Sequence, residues 1–296
     1  PHGWDADFST TSQDRYEVVL KQSMAPGLLV NTAWLSAPTL QQASTPERMR
    51  TFALPLRQPG PYCWRGLPVA ARTLMVFPSD RELFSLMAAD SEVMTISIDQ
   101  PTADGFLRAW DINPDEIFDR ARAIDLSDAQ YEELRQNLEL ITEFIVKYGD
   151  HGQFPELSRG VQEHLIDNML QPVMEDLGQP RISHSAAARR VKKAADYVLA
   201  RLAEPVTVEA ICNHVGCSRR SLEQSFSQYA GTSPKQFIHT LRLARCRKAF
   251  LGATPDDKVS TLASRYGFWH MGQFAASYRK LFGETPSQTL QKKAQY

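Results

Sequence analysis

The side chains that offer chemistry in this sequence are mainly cations, and they are concentrated at one end. Residues 186–296 contain 18 Lys or Arg against 7 Asp or Glu, whereas residues 1–185 contain 15 against 27. The net charge of −1 therefore conceals a basic C-terminal part and an acidic N-terminal part. Clustered ammonium and guanidinium groups attract polyanions, so this asymmetry predicts that the C-terminal part contacts a polyanion.

Side chains for catalysis or metal binding form no recognisable constellation. A metal in a small barrel needs clustered histidines with a carboxylate, yet residues 16–100 contain no histidine. There is no Ser-His-Asp or Cys-His arrangement in a recognisable context. We therefore expect no enzyme activity, no metal and no cofactor. Widely spaced cysteines, the absence of a long apolar run and no visible signal peptide predict a cytoplasmic protein with no membrane partner.

One phrase occurs twice near the C-terminus, as FSQYAGTSPKQF at 226–237 and YRKLFGETPSQT at 278–289. The matching positions are 52 residues apart. Each copy contains a glycine, which can end a helix in the left-handed conformation, and a proline three residues later, which bars its continuation. A repeated terminator predicts that two similar helical units end here.

The segment before each copy has the pattern of two short helices joined by a tight turn. In the first unit Thr207 can cap a helix, small Cys212 allows close crossing, and Gly216 suits the turn. Leu222 and Phe226, four apart, can bury the back of the second helix. The corresponding residues of the second unit are Ser260, Ala263, Gly267, Phe274 and Tyr278. Both segments predict a helix-turn-helix.

Residues 234–252 between the units predict a long helix that joins them rigidly. Its outer side is expected to be basic, through Arg242, Arg245, Arg247 and Lys248. Two units on one rod can enter successive major grooves on one face of DNA, about 34 Å apart.

The C-terminal part resembles the AraC/XylS family of transcription regulators. The likeness covers about 188–290 through SRRSLEQSF, GTSPKQFIHTLRLARCRKAFL and YGFWHMGQFAASYRKLFGETPSQTL, and the last motif is closest to the ethanolamine-responsive regulator subgroup. The resemblance implies a sequence-specific DNA-binding transcription regulator, an activator, whose partners are double-stranded promoter DNA and RNA polymerase.

The same resemblance implies which side chains contact DNA. Arginine can pair with guanine, glutamine with adenine and glutamate with cytosine, whereas phosphate contacts only position the protein. In the first unit the implied residues are Ser218, Arg219, Arg220, Glu223 and Gln224. In the second unit they are His270, Met271, Gln273 and Trp269. The Trp269 side chain can equally pack on the turn. The implied phosphate contacts are Arg245, Arg265, Arg279 and Lys280.

The N-terminal part has short runs rich in Val, Ile, Thr and aromatic residues between residues 16 and 98, which predict a β-barrel or sandwich. The family resemblance narrows this to a small cupin-like barrel followed by dimerisation helices, within an α+β chain. Five aromatic residues are candidates either for an effector pocket or for plain core: Trp34, Phe52, Tyr62, Trp64 and Phe77.

Helical patterns follow at about 102–111, from an N-cap at Ser127 to about 147, and at 156–176. Their apolar stripes either cover the barrel or form a homodimer seam. The Gly, Pro and Ser of 177–186 predict a linker between a sensing and dimerisation domain, 1–176, and a DNA-binding domain, 187–296.

The leading prediction is a regulator whose N-terminal domain senses a small-molecule effector. The alternative is a DNA-binding module fused to an enzymatic or purely structural barrel.

Overall fold

The computed structural model describes residues 4–10, 16–79, 82–148, 155–177, 186–254 and 257–292. A sheet-rich part precedes an all-helical part, which confirms the α+β prediction at that level. The predicted linker lies almost entirely outside the described residues. No helix within the described ranges is both long enough and apolar enough to cross a bilayer.

The strands of the described residues form two antiparallel sheets. Their bounds are β1 (Asp5–Thr10), β2 (Val18–Ala25), β3 (Leu28–Leu35), β4 (Thr39–Ser44), β5 (Met49–Arg57), β6 (Tyr62–Trp64), β7 (Leu67–Val69), β8 (Thr73–Val76), β9 (Glu82–Met87), β10 (Ser91–Asp99) and β11 (Arg122–Asp125). One sheet has the order β1-β4-β9-β6-β7, and the other has the order β11-β8-β5-β10-β3-β2.

The two sheets pack face to face and do not close into a barrel over the described residues. Leu35 and Met75 of the six-stranded sheet share a core with Trp64 and Leu83 of the five-stranded sheet. Interdigitated side chains, rather than hydrogen bonds between the sheets, hold such a sandwich together. The closed cupin-like barrel is therefore corrected to a two-sheet sandwich. Of the five aromatic candidates, Tyr62, Trp64 and Phe77 belong to this core, Phe52 is buried in the next layer and Trp34 is half-buried.

The helices of the described residues fall into two groups, before and after residue 180. The first comprises α1 (Gln100–Ala109), α2 (Pro114–Phe118), α3 (Asp128–Tyr148) and α4 (Pro155–Leu177). The second comprises α5 (Ala186–Leu199), α6 (Val208–Val215), α7 (Arg219–Ala230), α8 (Pro234–Leu251), α9 (Val259–Arg265), α10 (Met271–Phe282) and α11 (Pro286–Lys292).

The first group covers the outer face of the six-stranded sheet. The predicted cap of α3 is confirmed, since the Ser127 hydroxyl accepts a bond from the Gln130 amide at 3.3 Å. The apolar stripe of α3 is buried against the sheet, and the Tyr131 hydroxyl donates to the Pro55 carbonyl at 2.8 Å. The stripe therefore covers the sandwich, and Leu140 and Val146 are large apolar side chains that remain exposed in the described part of α3.

A buried ion pair fixes α1 to the six-stranded sheet. Arg50 on β5 donates to Asp104 on α1 through Nε at 2.8 Å and Nη2 at 2.9 Å, and both side chains are only 7% exposed. The Arg50 guanidinium also lies 4.4 Å from the centre of the Phe118 ring. Such a bidentate pair offsets the cost of burying both charges.

The second group of helices packs directly on the free face of the five-stranded sheet. Leu40, Phe84 and Leu86 of the sheet share one core with Val191 and Ala195 of α5. The sandwich thus carries helices on both faces. The helices on the five-stranded sheet belong to the all-helical part of the chain.

Candidate nucleic-acid interface

The first helix-turn-helix unit consists of α6 and α7, and its local bonds follow from its sequence. The Thr207 hydroxyl caps α6 by accepting from the Ala210 amide at 3.1 Å. Gly216 has φ +75°, and its amide donates to the Cys212 carbonyl at 2.9 Å. Ser218 then caps α7 by accepting from the Ser221 amide at 3.2 Å. These residues form the tight turn that the sequence predicts.

The second unit consists of α9 and α10, and it differs in its caps. Gly267 again has a positive φ of +79°, and Ala263 is fully buried where the helices cross. The expected cap at Ser260 is wrong, because α9 already begins at Val259 and Lys258, the preceding residue, makes no side-chain cap bond. His270 precedes α10 without a side-chain cap bond as well.

Helix α8 joins the two units by contributing to both cores. Phe237 and Leu241 in its first half pack with α5, α6 and α7. Cys246 and Phe250 in its second half pack with α9 and α10. One continuous helix is therefore a structural part of each unit, and the spacing of the two recognition helices depends on it.

The first recognition helix, α7, presents all four of its predicted base-contacting side chains to solvent. Arg219 is held on the surface by Glu223 at 2.9 Å and Glu209 at 3.6 Å, and the hydrogen bond to Glu223 raises the pKa of Arg219. Arg220 and Gln224 have no partner among the described residues, so their donors are available to a ligand.

The second recognition helix, α10, presents a less polar start. Trp269 is 74% exposed, and His270 and Gln273 are exposed beside it. Met271 is half-buried and packs against the core of its own unit. Arg279 and Lys280 are exposed in the last turn, and Arg265 is exposed at the end of α9.

The expected basic outer side of α8 is wrong for three of its four cations, which are half-buried and bonded to protein groups. Arg245 lies 3.3 Å from Asp7 on β1 and 3.4 Å from Gln42 on β4, and Lys248 lies 3.4 Å from Asp7. The reason is that α8 packs on two cores and the five-stranded sheet at once, which leaves it little free surface. The phosphate contact of Arg245 stays a prediction.

The remaining two arginines of α8 are bonded within the helical domain. Arg247 lies 3.3 Å from Glu284. Arg242 donates through Nη2 to the Glu204 carbonyl, just before α6. Arg242 also borders a cleft of about 430 Å³ between the two units. Its lining joins residues 206–208, 235–242 and 267–274, and no local sequence pattern indicates that these segments meet.

A smaller cavity of about 60 Å³ lies at one edge of the sandwich. It is lined by β1, β2, β3, β4 and β10 through Trp4, Ala6, Phe8, Leu20, Lys21, Gln22, Asn31, Ala33, Gln41, Val93 and Thr95. None of the five aromatic candidates from the sequence lines it. Its charged or amide groups are Lys21, Gln22, Asn31 and Gln41, and the lining contains no carboxylate.

Two helix-turn-helix units on a shared helix define a DNA-binding domain, and comparison with known proteins agrees. Residues 211–292 match the family described as "Helix-turn-helix domain". The probable thc operon regulatory protein of Rhodococcus erythropolis is 39% identical over 101 residues, which are 34% of this chain and 30% of that protein. The XylDLEGF operon transcriptional activator of Pseudomonas putida is 30% identical over 162 residues, 53% of this chain and 50% of that protein.

A solved structure, that of a probable AraC family transcriptional regulator from Rhodopseudomonas palustris, is 35% identical over 35% of this chain and 96% of that chain, with a TM-score of 0.34. The C-terminal part of the chain is therefore similar to helix-turn-helix operon regulators over the residues that these comparisons match. The chain spans half or less of the length of the two curated relatives described above.

Proposed function

We propose that the protein is a sequence-specific transcription regulator that binds promoter DNA through α7 and α10. The observation that carries this proposal is the joining of both units by α8, which places two recognition helices on one rigid support. Exposed Arg220 and Gln224 supply base-edge donors in the first unit, and His270 and Gln273 supply them in the second. The relatives named above are operon regulators, and one is called an activator.

The sandwich binds the effector at the edge cavity. At about 60 Å³ the cavity holds roughly two water molecules, so an effector requires the edge strand β1 to move. The lining supplies one ammonium group and amides but no carboxylate. This polarity favours a neutral or acidic small molecule, because an ammonium ligand would find no counter-charge. The motif likeness to the ethanolamine-responsive subgroup lies in the other domain and leaves the effector open.

Strand β1 couples the cavity to the DNA-binding domain. Successive side chains of a strand point to opposite faces, and Ala6 and Phe8 line the cavity while Asp7 between them pairs with α8. An effector that displaces β1 therefore changes the Asp7 contacts with Arg245 and Lys248. The two ligands, effector and DNA, are linked through the position of one strand.

A homodimer and RNA polymerase complete the proposed set of partners. We place the dimer contact on α3, where Leu140 and Val146 stay exposed after the main stripe is buried. Exposed apolar side chains on an otherwise packed helix suit an interface between two copies. Activation requires a contact with polymerase, for which the exposed surface of the DNA-binding domain is available.

The test is selection of bound duplexes from a random library with the full chain, followed by fluorescence anisotropy at increasing salt. We expect enrichment of sites with two short elements about 10 base pairs apart, matching one helical turn. Failure to enrich any sequence would contradict the proposal. A thermal-shift screen of the full chain with small acids, neutral metabolites and amines then tests the polarity of the cavity, since a ligand raises the melting temperature with its occupancy.

A further inference from the structure

The cleft between the two units has the composition of an oxyanion site, and it is named the inter-unit cleft below. It is lined by Val206, Thr207, Val208, Lys235, Ile238, His239, Arg242, Gly267, Phe268, Trp269, His270, Gln273 and Phe274. Three of these residues, Trp269, His270 and Gln273, are already predicted to contact DNA. The cleft is therefore continuous with the DNA-facing surface of the second unit.

Positive charge in the cleft is not neutralised by the protein. Burial lowers the pKa of Arg242, and no carboxylate among the described residues lies within ion-pair distance of it. The Arg242 Nε is buried and has no acceptor in the described part of the chain. A buried donor without an acceptor is costly, and the cost is greater on a charged group. An anion in the cleft would balance the charge of the guanidinium, since Arg242 lines the cleft.

One neighbouring cation adds to this field, and a histidine lies beside it. Exposed Lys235 stands on the same helix, and half-buried His239 lies between Lys235 and Arg242. The pKa of His239 is lowered first by burial and then by the nearby charges of Arg242 and Lys235. Gly267 provides space for the guanidinium, because a Cβ at this position would lie 3.4 Å from Arg242 Nη1.

Two helix N-termini also border the cleft. Thr207 and Val208 start α6, while His270 and Gln273 flank the start of α10. His270 makes no side-chain cap bond, so the first amides of α10 remain available. Helix N-termini carry partial positive charge and unpaired N–H donors, which favour a phosphate.

Apolar groups form the rest of the wall. Val206, Ile238 and Phe268 offer carbon surface next to the cations, and the volume of about 430 Å³ exceeds that of one phosphate group. A sugar attached to the phosphate would occupy this space with its C–H edge. The lining thus matches a nucleic-acid backbone unit better than a lone inorganic ion.

We propose that the inter-unit cleft binds one backbone phosphate and its deoxyribose from the DNA strand that passes between the two major grooves. Lys235 and Arg242 hold the phosphate, and the apolar wall contacts the sugar. The contact fixes the spacing of the two recognition helices along the duplex. This inference rests on the proposed function, because it presupposes that α7 and α10 enter successive grooves.

The first experiment measures the salt dependence of binding to the selected duplex for full-length wild type, Lys235→Gln and Arg242→Gln. Each lost phosphate contact should lower the slope of log K against log salt by about one, with weaker binding to every duplex. Lys235 is exposed, so its replacement leaves folding intact, and the melting temperature of each variant checks this. Arg108→Gln removes an equal charge from an exposed side chain on α1, on the opposite face of the sandwich from the second group of helices, and should keep the wild-type slope.

A methylphosphonate scan of the same duplex locates the contact. A neutral linkage at one or two positions between the half-sites should weaken wild type about five- to tenfold and the double variant Lys235→Gln/Arg242→Gln hardly at all, because that variant has lost both cations that hold the phosphate. Uniform sensitivity along the duplex, or unchanged slopes in both cleft variants, would overturn the cleft assignment and leave the proposed function intact. Failure of the wild-type protein to bind any duplex would instead contradict the proposed function.

Titration of inorganic phosphate without DNA separates the two sources of the anion. Isothermal titration calorimetry reports on the binding, and we expect no saturable change in heat with inorganic phosphate at micromolar concentration, since the sugar contacts are missing. A saturable change that disappears in Arg242→Gln, together with unchanged DNA slopes, would reassign the cleft to a small anionic metabolite.

Discussion

At the scale of single residues, the two cations that begin α7 differ in what surrounds them. Arg219 is bonded to Glu223 and Glu209, whereas Arg220 has no partner among the described residues. Arg219 must first break its contacts with two carboxylates, so a base contact yields less binding free energy for Arg219 than for Arg220. The sequence predicts which residue types begin the recognition helix. It does not predict this difference in pairing, which depends on the positions of the side chains in space.

Arg220→Ala should therefore weaken binding to the selected duplex by about five- to 150-fold, the equivalent of one bidentate base contact of about 1–3 kcal/mol. The preference at one base position should also flatten. Arg219→Ala should cost less, because Arg219 exchanges protein partners for DNA. Anisotropy titrations against all single-base variants of the site measure both effects, and equal losses for the two variants would contradict this ranking.

Asp104 is a buried partner of Arg50, and its loss should destabilise the fold. Asp104→Ala leaves Arg50 as a buried charge without its partner, which should cost about 3–5 kcal/mol of stability. The matched control is Asp128→Ala, since the Asp128 carboxylate is 82% exposed in its pair with Arg72 and exposed pairs contribute about 0–1 kcal/mol. Thermal and denaturant unfolding measure the difference. Equal melting temperatures for the two variants would be inconsistent with a structural role for the buried pair.

At the scale of elements, the helix-turn-helix units were predictable because their signals are local. A glycine, a small crossing residue and an apolar pair lie within about twenty residues, and each corresponds to one bond or contact in the structure. The sheets were less predictable, because β1 pairs with β4 and β4 pairs with β9, and no local pattern encodes such pairings. The cap predicted at Ser260 is wrong because the helix starts at Val259, two residues earlier than a cap at Ser260 would require.

Replacing the glycine at the turn of the first unit has a cost in stability that can be measured. Gly216 has φ +75° and open space around its Cβ position, so Gly216→Ala meets only backbone strain of about 1–2 kcal/mol. Gly272 lies inside α10, also with open space, so Gly272→Ala should stabilise the chain by up to about 1 kcal/mol. The two substitutions add the same methyl group and should shift the melting temperature in opposite directions. Shifts of the same sign would show that backbone conformation does not control these positions.

At the scale of the whole molecule, the acidic and basic parts of the chain meet at one surface. Asp7 pairs with Arg245 and Lys248, and Glu82 on β9 lies 3.3 Å from Lys192 on α5. Some charges of the acidic and basic parts are therefore paired with each other within the molecule. Composition alone could not show this, because it indicates how many cations are present but not which of them face protein rather than a ligand.

The contact at Asp7 predicts restraint of DNA binding by the N-terminal part. Asp7→Ala releases Arg245 and Lys248, and two partly exposed ion pairs of about 0.2–1 kcal/mol each correspond to about two- to thirtyfold tighter binding at low salt. The gain should shrink as salt screens the pairs. Asp115→Ala, at an exposed position of α2, changes the net charge equally and should leave affinity unchanged. If Asp7→Ala and Arg245→Ala both bind as wild type does, the β1 contact neither restrains the domain nor withholds a phosphate-binding cation, and the effector must act on DNA binding by another route.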